Sequence, residues 1–196
     1  MLKEILSSIS FFLFYSKSFY YILLTKHIFS YLSIGKEAVT LSYTKTHLEE
    51  FVDALYLKIG ISRPEELDIE LIAARMGITV EYILGPSKGI EVGSHPIIML
   101  NNTLSPSLQW QEFAHEIAHI LRHSGNQYLL PYDFRVLQEW QAGHFALYFC
   151  IPGFMLQDID LPHLKREAIL KVMEVFHVTP AFASARLDQW FNHIFF

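Results

Sequence analysis

Residues 115–119 read His-Glu-Ile-Ala-His, an HExxH pattern whose residue types can bind a divalent metal and activate water. Residues four apart lie on the same face of a helix, so His115 and His119 can direct two imidazole nitrogens at one ion. Glu116 lies about 100° further round the helix, beside the ion rather than on it, where a general base belongs. The spacing predicts a zinc site that needs a third protein ligand and an open position for water.

The residues around this motif have the apolar spacing of an amphipathic helix. The predicted buried stripe consists of Trp110, Phe113, Ala114, Ile117 and Leu121. Measured from its centre, His115 and His119 point to the opposite side, at roughly 140° and 180°, toward a cleft or toward solvent. Ser105-Pro106 supplies an N-cap and a proline at the first helical position. The alternative explanation of the histidine pair is a solvated polar face.

A third ligand is predicted on the next helix, which Asp133 caps and which runs from Phe134 to about Ile151. Glu139 lies 20 residues after His119, and two antiparallel helices joined by the intervening loop would bring it to the histidine pair. A carboxylate there completes a His₂Glu set. Three small residues share the face of Glu139 and would let the two helices approach closely; they are Ala142, Gly143 and Ala146.

Other sets of metal ligands match the sequence less well. The zinc pattern with a third histidine six residues after the second fails, because Gly125 stands there. His144 lies next to the small face and is an alternative ligand. His123 continues the cleft face by one turn; it is either a contact to a ligand or substrate, or a solvated histidine near the helix end.

The remaining pattern predicts an α+β fold. Helices are predicted from Thr46 to Ile59, from Pro64 to Met76, from Leu161 to Phe176 and after Thr179-Pro180. Between the first two and the HExxH helix, three strands are predicted at 78–84, 88–92 and 96–101, in a small antiparallel sheet. The last of these, over 97–101, is predicted to be an edge strand along the cleft, where an extended peptide could pair.

Composition divides the chain at about residue 40. The chain has 196 residues, a net charge of −5 and one cysteine, Cys150, which is predicted to be a buried apolar residue. Residues 1–35 are rich in aromatics but contain no uncharged run of the about 20 residues that a spanning helix needs. Two interpretations of residues 1–40 stay open. Either translation in the cell starts near Leu41 and these residues are upstream sequence, or they form a membrane-associated extension.

The body, residues 41–196, divides into a core over 45–155 and C-terminal helices over 156–196. It carries 11 Lys and Arg against 18 Asp and Glu. Such an acidic body without a basic stripe argues against direct nucleic-acid binding. A single cysteine cannot form an internal disulfide, so nothing suggests an oxidising compartment. We expect a cytoplasmic protein, with a membrane location only if residues 1–35 are part of it.

The motifs resemble those of the ImmA/IrrE family of metallopeptidases over about residues 45–190. The resemblance rests on the HExxH helix through His123, on Glu139 with the alanines that follow it, on Pro152, and on the segment from Val178 to Leu187. It implies a minimal zincin-like domain with Zn²⁺ bound by His115, His119 and Glu139, and with Glu116 catalytic. The family usually has Asn or Asp where this chain has Gly143, so the metal affinity depends on another contact, such as His144 or water.

The resemblance also implies a biological role. Family members on mobile elements and prophages cleave a helix-turn-helix repressor encoded beside them, so we expect a zinc metalloendopeptidase that acts as an anti-repressor. The alternative is a regulatory protein that binds a transcription factor without cleaving it and has a vestigial or structural zinc site. Four residues could stabilise the oxyanion of the hydrolysis, and the sequence does not choose among them: Tyr128, Tyr132, His123 and His163.

Overall fold

The structure, a computed structural model, describes residues 43–122 and 131–192. The hydrophobic extension over residues 1–40 and the residues His123 and Tyr128 lie outside the described ranges. The predictions made for them therefore stay predictions.

The described chain contains seven α-helices, one short 3₁₀-helix and three strands. In chain order they are α1 (His47–Ile59), the 3₁₀-helix (Pro64–Glu66), α2 (Ile69–Met76), β1 (Thr79–Ile83), β2 (Lys88–Val92), β3 (His95–Asn101), α3 (Pro106–Arg122), α4 (Tyr132–Cys150), α5 (Gly153–Leu156), α6 (Lys165–Phe176) and α7 (Pro180–Asn192). The α+β class predicted from the sequence is confirmed.

Helix α1 begins and ends where its sequence predicts. The Thr46 side chain accepts a hydrogen bond from the Glu49 N–H, and the Glu49 carboxylate accepts one from the Thr46 N–H, which together form a capping box. Gly60 ends the helix with φ of 68°, a left-handed conformation that glycine adopts without steric cost. Tyr56 of this helix is fully buried, whereas Phe51 is 41% exposed.

The segment predicted as one helix from Pro64 to Met76 is two elements. The 3₁₀-helix ends at Glu66, and α2 begins at Ile69 after Asp68, whose carboxylate accepts a hydrogen bond from the Leu71 N–H. Aspartate is a preferred N-cap residue, and an N-cap has a non-helical backbone. Asp68 therefore starts a new helix and interrupts the single helix that was predicted.

The sheet differs from the prediction in two ways. Its order is β1-β3-β2, so β3 is the central strand and the prediction of an edge strand over 97–101 is wrong. The sheet is also mixed rather than antiparallel, because β1 pairs with β3 in parallel and β2 pairs with β3 in antiparallel orientation. A short turn links β2 to β3, and the two strands form an antiparallel hairpin. Strand β1 is not connected to β3 directly, because β2 lies between them in the chain, and it pairs in parallel with the other side of β3. Ile98 and Leu100, on β3, are fully buried.

The core lies between α3, α4, α1 and the C-terminal helices. Three aromatic rings pack against Phe149 at its centre: Tyr56 and Phe145 are stacked on it, and Trp110 is tilted at 45° to it. Cys150 is fully buried among them, as predicted. Helix α6 begins at Lys165, later than predicted, and α7 buries Leu187, Trp190 and Phe191 against the body.

Across the described ranges, no single helix combines the length and the apolar composition needed to cross a membrane. Helices α6 and α7 reach these values only when taken together, and a bend of 110° separates them.

Candidate metal centre and catalytic site

Helix α3 carries the HExxH motif with one face in the core. It begins at Pro106, and the Leu108 N–H donates a hydrogen bond to the Ser105 hydroxyl, as the N-cap prediction requires. Phe113 and Ile117 are fully buried. Leu121, predicted to belong to the buried stripe, is 40% exposed because it lies in the last turn of the helix.

Helix α4 brings Glu139 to this motif. The helix begins at Tyr132 with Pro131 at the N-cap position, so the prediction that Asp133 caps it is wrong. Proline suits a helix start because the first N–H groups have no intrahelical acceptor. Ala142 and Ala146 are buried, which agrees with their predicted role in close helix packing.

The ligating atoms of His115, His119 and Glu139 converge. The Nε2 atoms of the two histidines lie 3.0 Å apart. Glu139 places Oε2 at 3.1 Å from Nε2 of His115 and Oε1 at 3.6 Å from Nε2 of His119. The three residues can each offer one ligand atom, all within 4.8 Å of one another, and they form a group able to hold a metal ion.

These separations suit zinc. Zinc bonds of about 2.0–2.2 Å in a tetrahedral arrangement put neighbouring ligand atoms about 3.3 Å apart. Imidazole nitrogens and a carboxylate oxygen are also the ligand types that zinc binds in proteins. His119 is almost buried, with a side chain 10% exposed, whereas Glu139 is 56% exposed, so the group opens toward solvent on the α4 side. The residues present therefore fit a zinc site with an accessible coordination position.

The Glu116 carboxylate lies beside this group and is held by the sheet. The Gly89 N–H of β2 donates a hydrogen bond of 2.6 Å to Oε2 of Glu116. Glu116 is only 8% exposed. Burial raises the pKa of the Glu116 carboxyl above its usual range, although the Gly89 hydrogen bond and the nearby His115 oppose the change. A raised pKa favours a carboxylate that accepts and returns a proton near neutral pH.

The edge strand beside the site is β2. Gly89 contacts Glu116, and β2 has β3 on one side only. The edge strand beside Glu116 is therefore Lys88–Val92, and not the predicted 97–101.

Two further residues that the sequence placed near the metal, His144 and Gly143, are not members of the described ligand group. The His144 Nδ1 atom is 3.1 Å from the carbonyl oxygen of Trp140, and the two rings are 3.9 Å apart. The described metal-ligand group does not include His144. A Cβ atom added at Gly143 would meet nothing within 4 Å, so close packing of α4 does not require glycine there.

The proposed oxyanion donors remain unassigned. Tyr132 is 70% exposed at the start of α4, and its ring lies against Arg135. His163 is exposed before α6.

Sequence reasoning missed one feature of the site and one feature of the fold. Gly89 was assigned only to a strand, although a glycine inside a strand often marks a close backbone approach, and this signal could have identified it. The buried pair of Glu49 and Arg186, which ties α1 to α7, had no local signal because the two residues are 137 positions apart.

Comparison with known proteins identifies the family of this chain. Residues 64–188 match the Peptidase_M78 family, described as the IrrE N-terminal-like domain. The chain is 39% identical over 145 residues to the phage-like element PBSX protein XkdA of Bacillus subtilis strain 168, covering 74% of this chain and 73% of XkdA. It is 36% identical over 152 residues to the uncharacterized protein YqaB of the same strain, covering 78% of this chain and 88% of YqaB.

A solved structure has a similar fold. The Mycobacterium tuberculosis transcriptional regulator superposes with a TM-score of 0.53 at 18% identity, covering 73% of this chain and 47% of that chain. At this identity the similarity concerns the fold alone. The family match and the two Bacillus relatives show that the chain belongs to the ImmA/IrrE-type family, Peptidase_M78.

Proposed function

We propose that this protein is a zinc-dependent metalloendopeptidase that cleaves a helix-turn-helix transcriptional repressor. The observation that carries the proposal is the convergence of His115, His119 and Glu139 next to the buried carboxylate of Glu116. Three protein ligands with an accessible side are the arrangement of catalytic zinc sites, whereas structural zinc sites are closed by four.

The division of roles follows from the positions of the residues. His115, His119 and Glu139 would hold the metal, which when bound supplies Lewis acidity that polarises a carbonyl and lowers the pKa of water. Glu116 does not belong to the ligand group and acts as the general base.

The proton transfers balance around Glu116. Its carboxylate takes one proton from the attacking water, the water oxygen bonds to the scissile carbonyl carbon, and the C–N bond breaks. The same carboxyl group then gives the proton to the leaving amine, so Glu116 returns to its starting state.

Two surfaces near the site favour a protein as the substrate. The outer edge of β2 offers main-chain groups for an extended peptide beside Glu116. The first half of α4 exposes large apolar side chains around Glu139, namely Tyr132, Phe134, Val136, Leu137 and Trp140. Exposed apolar clusters of this kind mark protein-binding surfaces.

The anti-repressor role is supported by the relatives. XkdA is named as a protein of a phage-like element. A protease on a mobile element that cleaves the repressor encoded beside it would lift repression of that element. We therefore take the neighbouring helix-turn-helix repressor as the first substrate to test.

Replacing Glu116 with Gln tests the proposal. The purified zinc-loaded protein should cleave the neighbouring repressor, and Glu116→Gln should abolish cleavage while the zinc content and repressor binding persist. Glu112→Gln is a matched control, because Glu112 lies one turn earlier on α3 and outside the ligand group.

The alternative function gives the opposite result. If Glu116→Gln relieves repression in cells as fully as the wild type does, the protein acts by binding the transcription factor, and the protease proposal is wrong.

A further inference from the structure

The N–H of Gly89 points to the side of β2 that has no neighbouring strand. In the antiparallel ladder with β3, the N–H and C=O of one residue point to the same side, and successive residues alternate. The Gly89 N–H points at Glu116 rather than at its β3 partner Ile98. It is therefore one of the main-chain donors of the sheet edge, and the side chain of Glu116 occupies it.

The contact requires the absence of a side chain at position 89. A Cβ atom there would lie 3.2 Å from the main-chain oxygen of Glu116, 3.3 Å from Cγ1 of Ile120 and 3.4 Å from Oε2 of Glu116. The first of these neighbours is helix backbone, which cannot rotate away. Any larger residue would therefore push β2 from α3 by a few tenths of an ångström.

We infer that Gly89 is a positioning residue for the general base, and that its main-chain N–H fixes the orientation of the Glu116 carboxylate. The inference rests on the proposed function. With Oε2 held by Gly89, Oε1 is the oxygen that takes the proton from water and returns it to the leaving amine. Within the described residues, this hydrogen bond is the one that the carboxylate accepts.

Orientation matters because Glu116 has two free side-chain torsions beyond its first, and only a narrow range directs one oxygen at the ligand group. The Gly89 N–H is held in place by the pairing of β2 with β3, so its hydrogen bond keeps the Glu116 torsions within that range. Preorganised contacts of this kind act on the chemical step more than on substrate binding. The expected signature is therefore a change in kcat with little change in KM.

The contact itself is tested without any substrate, by amide hydrogen exchange of the full, zinc-loaded chain in NMR spectra. An outward N–H on an edge strand has no strand partner, so its protection must come from Glu116. Glu116→Ala should accelerate exchange of the Gly89 amide by at least about tenfold. The amide of Ile90, which points toward β3, should stay protected.

Glu112→Ala is the control for a general charge effect on α3, and it should leave the Gly89 amide unchanged. A Gly89 amide that exchanges equally fast in the wild type and in Glu116→Ala would overturn the inference.

The catalytic consequence is tested with two variants and the repressor that the wild type cleaves. Gly89→Ala lengthens the contact by steric displacement. Replacing the peptide between residues 88 and 89 by an ester deletes the N–H and adds no bulk. Both should lower kcat by about 10- to 100-fold with KM and zinc content unchanged.

The outcomes separate the possibilities. An ester variant with wild-type kcat would mean that Gly89 serves only to let β2 and α3 pack, and the inference would be wrong. A wild-type protein that cleaves no repressor would defeat the proposed function, and the exchange experiment would still decide whether Gly89 holds Glu116.

Discussion

Arg186 of α7 donates a hydrogen bond of 2.7 Å to the carboxylate of Glu49 on α1, and both side chains are buried. The guanidinium also donates to the carbonyl oxygen of Ile151 and lies over the ring of Tyr148. The same carboxylate accepts hydrogen bonds from Tyr43 and Thr46. The pair of Arg186 and Glu49 therefore links α7, near the end of the described chain, to α1, near its beginning.

Removing one partner of this pair should strongly destabilise the fold. We expect Arg186→Ala to lower the free energy of unfolding by about 3–5 kcal/mol, because it leaves the Glu49 charge buried without compensation. Urea denaturation followed by circular dichroism measures the change. Lys165→Ala breaks the exposed pair of Lys165 with Asp188 and should cost less than about 1 kcal/mol. Equal effects of the two substitutions would contradict the assignment.

The same pair should make stability depend on acid pH. Burial alone would raise the pKa of the Glu49 carboxyl, but the Tyr43 and Thr46 hydrogen bonds and the Arg186 charge together hold that pKa below its usual range. A lowered folded-state pKa stabilises the protein above the unfolded value, about 4.3 for glutamate, and this stabilisation is lost as pH falls through the folded value.

The measurement is the urea midpoint between about pH 6 and pH 3 for the wild type and Glu49→Gln. The wild type should lose stability more steeply with falling pH than the variant, which has no carboxyl to protonate at this position. Parallel pH curves would show that Glu49 contributes nothing to the acid dependence.

Zinc binding should depend on Glu139. We expect about one zinc per chain in the wild type and an affinity at least about 100-fold lower in Glu139→Ala, since loss of a ligand should exceed the 10- to 100-fold effect of losing an outer contact. Metal analysis after dialysis and competition with a chelator measure both. Glu116→Gln should keep its zinc. Full retention of zinc by Glu139→Ala would mean that another residue completes the site, and His144→Ala would then be measured.

Two helical glycines should respond in opposite directions to alanine. At Gly143 the new Cβ meets nothing within 4 Å, so Gly143→Ala should stabilise the protein by about 0.5–1 kcal/mol through helix propensity alone. At Gly153 it would lie 3.1 Å from Oε1 of Glu49, so Gly153→Ala should destabilise. Thermal unfolding of the two variants checks this pair, and destabilisation by Gly143→Ala would show that the site is less open than its surroundings indicate.

Local sequence signals were enough to predict α1, most of α3 and the motif that carries the chemistry. Thr46 and Gly60 set the ends of α1, and the apolar spacing of α3 set which face is buried, because caps and periodicity act between residues close in the chain. The HExxH spacing placed His115, His119 and Glu116 relative to one another for the same reason, since one helix fixes all three. The family could also be recognised at this level, from the joint pattern of α3 and α4.

The strand that borders the site and the contact that holds the Glu116 carboxylate could not be predicted from local signals. Strand order depends on pairings between distant segments, so the sequence could not show that β3 is central and that β2 presents Gly89 to Glu116. The pairing of Glu49 with Arg186 is likewise a contact across 137 positions. Such contacts form because burying a charge requires a partner, and the partner is whichever residue the fold brings within reach.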